Sequence, residues 1–199
     1  MRIIKKIVIV IGFVMSVLTG GWANEDSAKT TVTKLVTEIQ EIAERNGSQD
    51  EYSAVLKKYL DFDKITKNVL RGVRKKIIAD GGNANSADFK AFFEKFKKSF
   101  TTYMINKYSN KENIDKFRSM TFEIQQVIDN DSYFSLISTF KSKSGPQGDV
   151  KVEWQTVKNN SLIFDMIFTE AAASFFKNEQ SEATAKFEGN LDNLLKAYQ

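Results

Sequence analysis

"DVKVEWQTVKNNSLIFDMIFT", residues 149–169, decides the fold. Its first half places Val150, Val152, Trp154 and Thr156 at every second position, the two-residue period of a strand. Its second half, around Ile163 to Phe168, is apolar almost throughout. A two-residue turn at Asn159-Asn160 would join the halves as an antiparallel hairpin. That turn sets Trp154 opposite Asp165 and Val152 opposite Ile167. Val152, Trp154, Ile163 and Ile167 then share one face with Asp165 among them, and Phe164, Met166 and Phe168 take the other. A sheet apolar on both faces must be covered on both, or must leave one to a ligand.

The same period runs upstream. Residues 119–129 and 132–142 alternate and meet at Asn130-Asp131, while Ser144-Gly145-Pro146-Gln147-Gly148 reads as a longer loop. Four consecutive strands joined in this way form an antiparallel meander. Helices are expected on either side. Val32, Leu35, Val36, Ile39, Ile42 and Ala43 follow a 3.6-residue period that Asn46-Gly47 closes, and a shorter helix is expected over 50–59. The fold class is therefore α+β: a four-stranded antiparallel meander packed with N- and C-terminal helices, which either close on a dense core or enclose an apolar cavity, the latter being the expectation.

"YLDFDKITKNVLRG", residues 59–72, raises the question of a catalytic carboxylate pair. With Asp61 as N-cap, Leu60 and Ile65 occupy the two positions of a hydrophobic staple, and Asp63 falls in the first turn, where the helix dipole favours negative charge. Both aspartates thus have structural work. Phe62, Ile65, Val69, Leu70, Val73 and Ile77 form a single core stripe. After the loop at 79–88, Ser86 caps a helix over 87–108 carrying Phe89, Phe92, Phe93, Phe96, Phe100, Tyr103 and Met104. A stripe that wide serves either a deeply buried core helix or a cavity wall. Two closing helices are expected over 169–177 and 181–198.

The N-terminus reads as a leader. Arg2, Lys5 and Lys6 precede an apolar run over 7–18, and Gly21-Trp22-Ala23 offers small residues at −3 and −1 of a cleavage after Ala23. Residues 24–199 would then form one domain. The chain has 29 basic and 25 acidic residues; removing the leader takes three cations and leaves a net charge of +1. The pI of about 9.0 therefore overstates the basicity of the working protein and gives no support for nucleic-acid binding. With no Cys there is no disulfide, so packing has to supply the stability. With no His the commonest metal ligand and general base is missing. No glycine-rich phosphate loop, nucleophile elbow or metal spacing is present, and no cofactor is expected. Asp165, in an apolar strand, is the one carboxylate open to a perturbed pKa.

"YLDFDKITKNVLRG", then "DFKAFFEKFKKSFTTYM" at 88–104, then "VKVEWQTVKNNSLIFDMI" at 150–167, resemble in kind and order the toluene-tolerance (MlaC-type) family of periplasmic phospholipid-binding proteins. Departures occur where the family has Gly after Val-Leu (Arg71 here, with Gly72 one place late), Glu-Gly-Val-Ser after the last strand (Thr169-Glu170-Ala171-Ala172), and often Trp four residues before the strand Asp (Ser161). The resemblance implies a monomeric periplasmic carrier of phospholipid, the auxiliary component of an ABC transport system that maintains outer-membrane lipid asymmetry. Its partners would be an inner-membrane ABC transporter complex and an outer-membrane lipoprotein complex. No covalent step is needed, so no enzyme is expected. The lipid-binding residues are expected where the Phe-rich helix meets the sheet: Phe92, Phe96, Phe100 and Tyr103 against Val152, Trp154, Ile163 and Ile167, with Val69 and Val73 closing one end. The alternatives are a carrier of another apolar lipid, such as a hopanoid-related one, an enzyme on a cone-shaped α+β scaffold with Asp165 as base, and a periplasmic adaptor that binds only proteins.

Overall fold

The computed structural model describes residues 24–109, 118–143, 149–169 and 173–199. The leader at 1–23, the loop at 144–148 and the departure at 170–172 lie outside them. The chain opens with α1 (Glu25–Glu44), α2 (Gln49–Tyr59), α3 (Phe62–Val69), α4 (Arg71–Ala79) and α5 (Ala87–Tyr108). The strands follow: β1 (Met120–Asp129), β2 (Tyr133–Ser142), β3 (Val150–Val157), β4 (Ile163–Phe168) and the two-residue β5 (Ala173–Ser174). Helices α6 (Phe175–Lys186) and α7 (Leu191–Lys196) close the chain. The sheet order is β1-β2-β3-β4-β5, antiparallel throughout and open at β1, so the fold is α+β with a meander at its centre.

Side chains near each helix start explain most boundaries. Asn24 Oδ1 accepts the amide of Ser27 at 2.9 Å, and Ser48 and Glu51 form a reciprocal capping box. Asp61 Oδ1 accepts the amide of Lys64 at 2.8 Å, so this aspartate is the cap its position suggests. The Asp61 amide in turn donates to the Ile163 carbonyl at 2.8 Å, which ties the α2–α3 corner to β4. The stripe from Phe62 to Ile77 is carried by two helices: Leu70 takes ψ near 1° and divides it between α3 and α4. Leu70 is fully buried at that joint. The expected break between 177 and 181 is absent. The chain turns instead at 187–190, where Glu188 and Gly189 have φ of 41° and 78° and Asn190 caps α7.

The β3–β4 register differs from the two-residue turn model. The connection spans 158–162, with Ser161 at φ 57° and the Val157 amide bonded to the Leu162 carbonyl at 2.9 Å. Trp154 therefore pairs with Met166, Val152 with Phe168, Gln155 with Asp165 and Glu153 with Ile167. A one-residue slip exchanges the faces of every side chain it touches. Met166 and Phe168 join Val152 and Trp154, while Asp165 and Ile167 move to the opposite face. A register shift leaves Phe164 unpaired and sets Ile163 opposite Thr156, so Ile163 stays in the Trp154 cluster.

Two hydrophobic clusters result. One lies between α1, α2 and the sheet, built on Val32, Leu35, Val36, Tyr52, Leu136 and Trp154. The other joins α3, α4, α5, α6 and α7, with buried Phe164 and the partly buried Tyr133 and Val157 contributed by the sheet.

Candidate functional site

The α1–α2 layer does not close on the sheet. It leaves a cavity of about 420 Å³. Leu35, Val36 and Ile39 of α1 and Tyr52 and Leu56 of α2 form one wall, and Phe140, Val152, Trp154 and Met166 form the other. Leu60 lies at the inner end, where it bridges to Ile163. Met120, Val150 and Phe168 also line the space, and the register places them with Phe140 at one end of the sheet. Phe168 is 40 % exposed there, whereas Val152 and Trp154 are 2 % and 3 % exposed, so the wall combines a solvent-accessible rim at Phe168 with deeply buried β3 side chains.

Polar atoms of the wall are turned to other partners. The Trp154 indole N–H donates to Ser138 Oγ at 2.7 Å, and Ser138 passes a bond to the Val152 carbonyl at 3.2 Å. Gln40 holds α1 to the start of β1 through the Met120 carbonyl at 2.9 Å. Tyr108 and Phe175, with ring centroids 4.1 Å apart, wall off the α5–α6 side. The Tyr108 hydroxyl donates to Glu179 Oε1 at 2.9 Å, beside Lys107 Nζ at 2.7 Å, and Glu179 is only 1 % exposed. Burial, helped by the Glu179 charge, pushes the Tyr108 phenol above its ordinary range. None of the described lining residues is charged. Such a space suits hydrocarbon: it excludes ions by desolvation and rewards apolar contact.

Of the residues expected at the site, Val152 and Trp154 line this cavity. Ile163 is fully buried in the same cluster without lining it, and Ile167 lies on the opposite sheet face. Phe92, Phe96, Phe100, Val69 and Val73 sit in the helical cluster, with Tyr103 packed against it. The expected contact of the Phe stripe with the Trp154 face is therefore not made. Tyr198, just beyond α7, occupies the place in front of the stripe, edge-on to Phe96 at 5.1 Å and Phe100 at 5.7 Å. The α1 and α2 residues of the wall went unassigned from sequence, although the period of α1 was plain.

Asp165 has another task. Its carboxylate accepts from Ser174 Oγ at 2.7 and 3.0 Å, from the Met166 amide at 2.8 Å and from the Phe176 amide at 3.4 Å, clamping β4 to the start of α6. It does not line the cavity. Burial raises its pKa against these bonds, so folding favours its protonated form. The contribution is fullest below the ordinary aspartate range and is lost as pH rises through the raised value. Asp165→Asn should remove that decline and leave the melting temperature at neutral pH unchanged or higher. Asp165→Ala should cost about 2 kcal/mol by stranding buried donors. Thermal melts across a pH series check both; equal losses in the two variants would contradict the clamp.

Among the described residues no group of three or more Asp or Glu is placed to hold a metal, and no helix is long and apolar enough to cross a membrane. The sequence matches the family described as "MlaC protein" over residues 25–198. Curated proteins give no match. Among solved structures, a phospholipid-binding protein from Ralstonia solanacearum, in complex with a phospholipid, superposes with a TM-score of 0.65 at 12 % identity. The match covers 88 % of this chain and 94 % of that one, a likeness of fold.

Proposed function

The chain belongs to the MlaC family, and from that premise we propose that it binds phospholipid and carries it across the periplasm, with hydrocarbon held in the cavity between α1, α2 and the sheet. The carrying observation is the hollow of about 420 Å³ whose described lining residues are uncharged and almost all apolar. The Ralstonia solanacearum protein, whose structure contains a phospholipid, supports the choice of cargo. An apolar cavity of about 150 Å³ admits one benzene, so by that scale the hollow takes on the order of seventeen carbons, about one acyl chain. The second tail of a phospholipid would need the rim at Met120, Val150 and Phe168 to yield.

Each methylene taken out of water is worth about 0.8 kcal/mol, so a chain of about sixteen gains roughly 13 kcal/mol in the cavity. A bilayer offers the tail the same gain. Net transfer then depends on partners that favour the loaded or the empty state, not on tail burial itself. In this reading residues 1–23 are removed on export, and residues 24–199 work as one monomeric domain. That domain shuttles lipid between an inner-membrane ABC transporter complex and an outer-membrane lipoprotein complex. Mass spectrometry of an organic extract of the purified protein should show phospholipid at about one per chain. A polycyclic lipid in its place, or protein from its own envelope free of any lipid, would overturn the assignment.

A further inference from the structure

Residues 64–76 contain six Lys or Arg and no carboxylate. Helix α4 carries four of these cations: Arg71, Lys75 and Lys76 are exposed, and Arg74 is half-buried with its guanidinium 5.8 Å from the Phe89 ring centre. Its inner side is fixed: Val73 is fully buried, and a Cβ on Gly72 would lie 2.0 Å from Thr184 Oγ1, so α6 lies directly against it. Arg71, Arg74, Lys75 and Ile78 follow at spacings of three, four and seven residues, which is one face of a helix. Ile78 is 59 % exposed, more than Phe168 at 40 % or Ile128 at 39 %.

These cations are not neutralised. Arg71 reaches Asn68 Oδ1 at 3.2 Å, Arg74 reaches Asn85 Oδ1 at 3.0 Å, and Lys76 reaches the Thr184 carbonyl at 2.9 Å; all three acceptors are uncharged. Among the described residues none of Lys67, Arg71, Arg74, Lys75 and Lys76 makes an ion pair, whereas Lys58, Lys97, Lys107 and Lys186 all do. The nearest carboxylates in sequence are Asp63, held by Lys97 at 2.8 Å, and Asp80 at the end of α4.

We propose that this face of α4 docks on an anionic bilayer surface, with lipid phosphates against Arg71, Arg74 and Lys75 and Ile78 reaching the acyl boundary. A flat-lying helix with a basic stripe and an apolar tip is the form of an interfacial helix. Long cationic side chains held by no carboxylate suit a surface whose anions can move to meet them, more than a rigid acidic protein surface that must match them in place. The face belongs to the helical cluster and not to the cavity, so it does not depend on what the cavity holds.

The test is sedimentation with phosphatidylcholine vesicles containing about a quarter phosphatidylglycerol, at about 50 mM salt. Binding should be lost on phosphatidylcholine alone and at about 0.5 M salt. The double variant Arg71→Gln, Lys75→Gln should partition at least about tenfold more weakly, at roughly fivefold per cation. Ile78→Ser should weaken binding about threefold with its salt dependence unchanged. All three side chains are exposed, so circular dichroism should stay that of the wild type. Equal binding to neutral vesicles, a double variant that binds as the wild type does, or no vesicle binding at all would overturn the proposal; the last would give the face to an acidic protein partner. A lipid-free cavity with vesicle binding intact would end the carrier reading and leave this one standing.

Discussion

Replacing Phe96 with alanine should cost about 3–5 kcal/mol of folding free energy and leave the lipid content of the folded protein unchanged. Phe96 is fully buried, stacked on Phe100 at 5.6 Å with planes 12° apart, and edge-on to Tyr198. Its ring fills the space between α5 and the chain end, and nothing there can collapse cheaply, because Leu194, Val69 and Val73 are also fully buried in that cluster. Loss of the ring therefore leaves a void in a close-packed region. Urea denaturation measures the cost, and extraction from the folded fraction measures the lipid. If the folded variant lost half its lipid or more, the α5 aromatic stripe would belong to the binding site after all.

That expectation reverses one formed from sequence, and the reversal has a physical cause. Local structure was legible wherever local chemistry decides it. Ser86 accepts the Phe89 amide at 3.1 Å, and the Phe-rich helix begins and ends where its cap and period place it. Asp61 proved a cap, and the strand spans and antiparallel order followed from the two-residue period. The β3–β4 register did not follow, because a five-residue connection and an unpaired Phe164 change which residues share a face without changing the pattern. The choice of helix to cover the sheet was further out of reach. Both α1 and α5 carry apolar stripes, and period alone does not say which stripe meets Trp154 and which meets Tyr198. The width of the α5 stripe comes from having helical neighbours on several sides, not from lining a hollow.

Met166→Asp should lower co-purified lipid roughly twentyfold or more, because an ionised carboxylate projecting into an uncharged hollow must be desolvated before a hydrocarbon chain can lie beside it. Met166 lies on the cavity wall, pairs across the ladder with Trp154 and is only half-buried. With no lipid present, water admitted from the solvent-accessible rim at Phe168 can hydrate the new charge. The cost in stability should therefore stay near 1–2 kcal/mol, well below that of Phe96→Ala. Met166→Leu, which keeps the volume and stays apolar, should retain lipid and stability together. The pair of variants separates charge from shape. A Met166→Asp protein that folds and still yields lipid at the wild-type level would show that hydrocarbon does not lie against this wall. Loss of lipid in Met166→Leu as well would mean that side-chain fit, not polarity, governs the cavity. Because Phe96→Ala acts on stability alone and Met166→Asp chiefly on occupancy, the two clusters can be told apart in one set of measurements. That separation is expected of a fold in which the helical cluster supplies rigidity and the α1–α2 side is left incompletely filled.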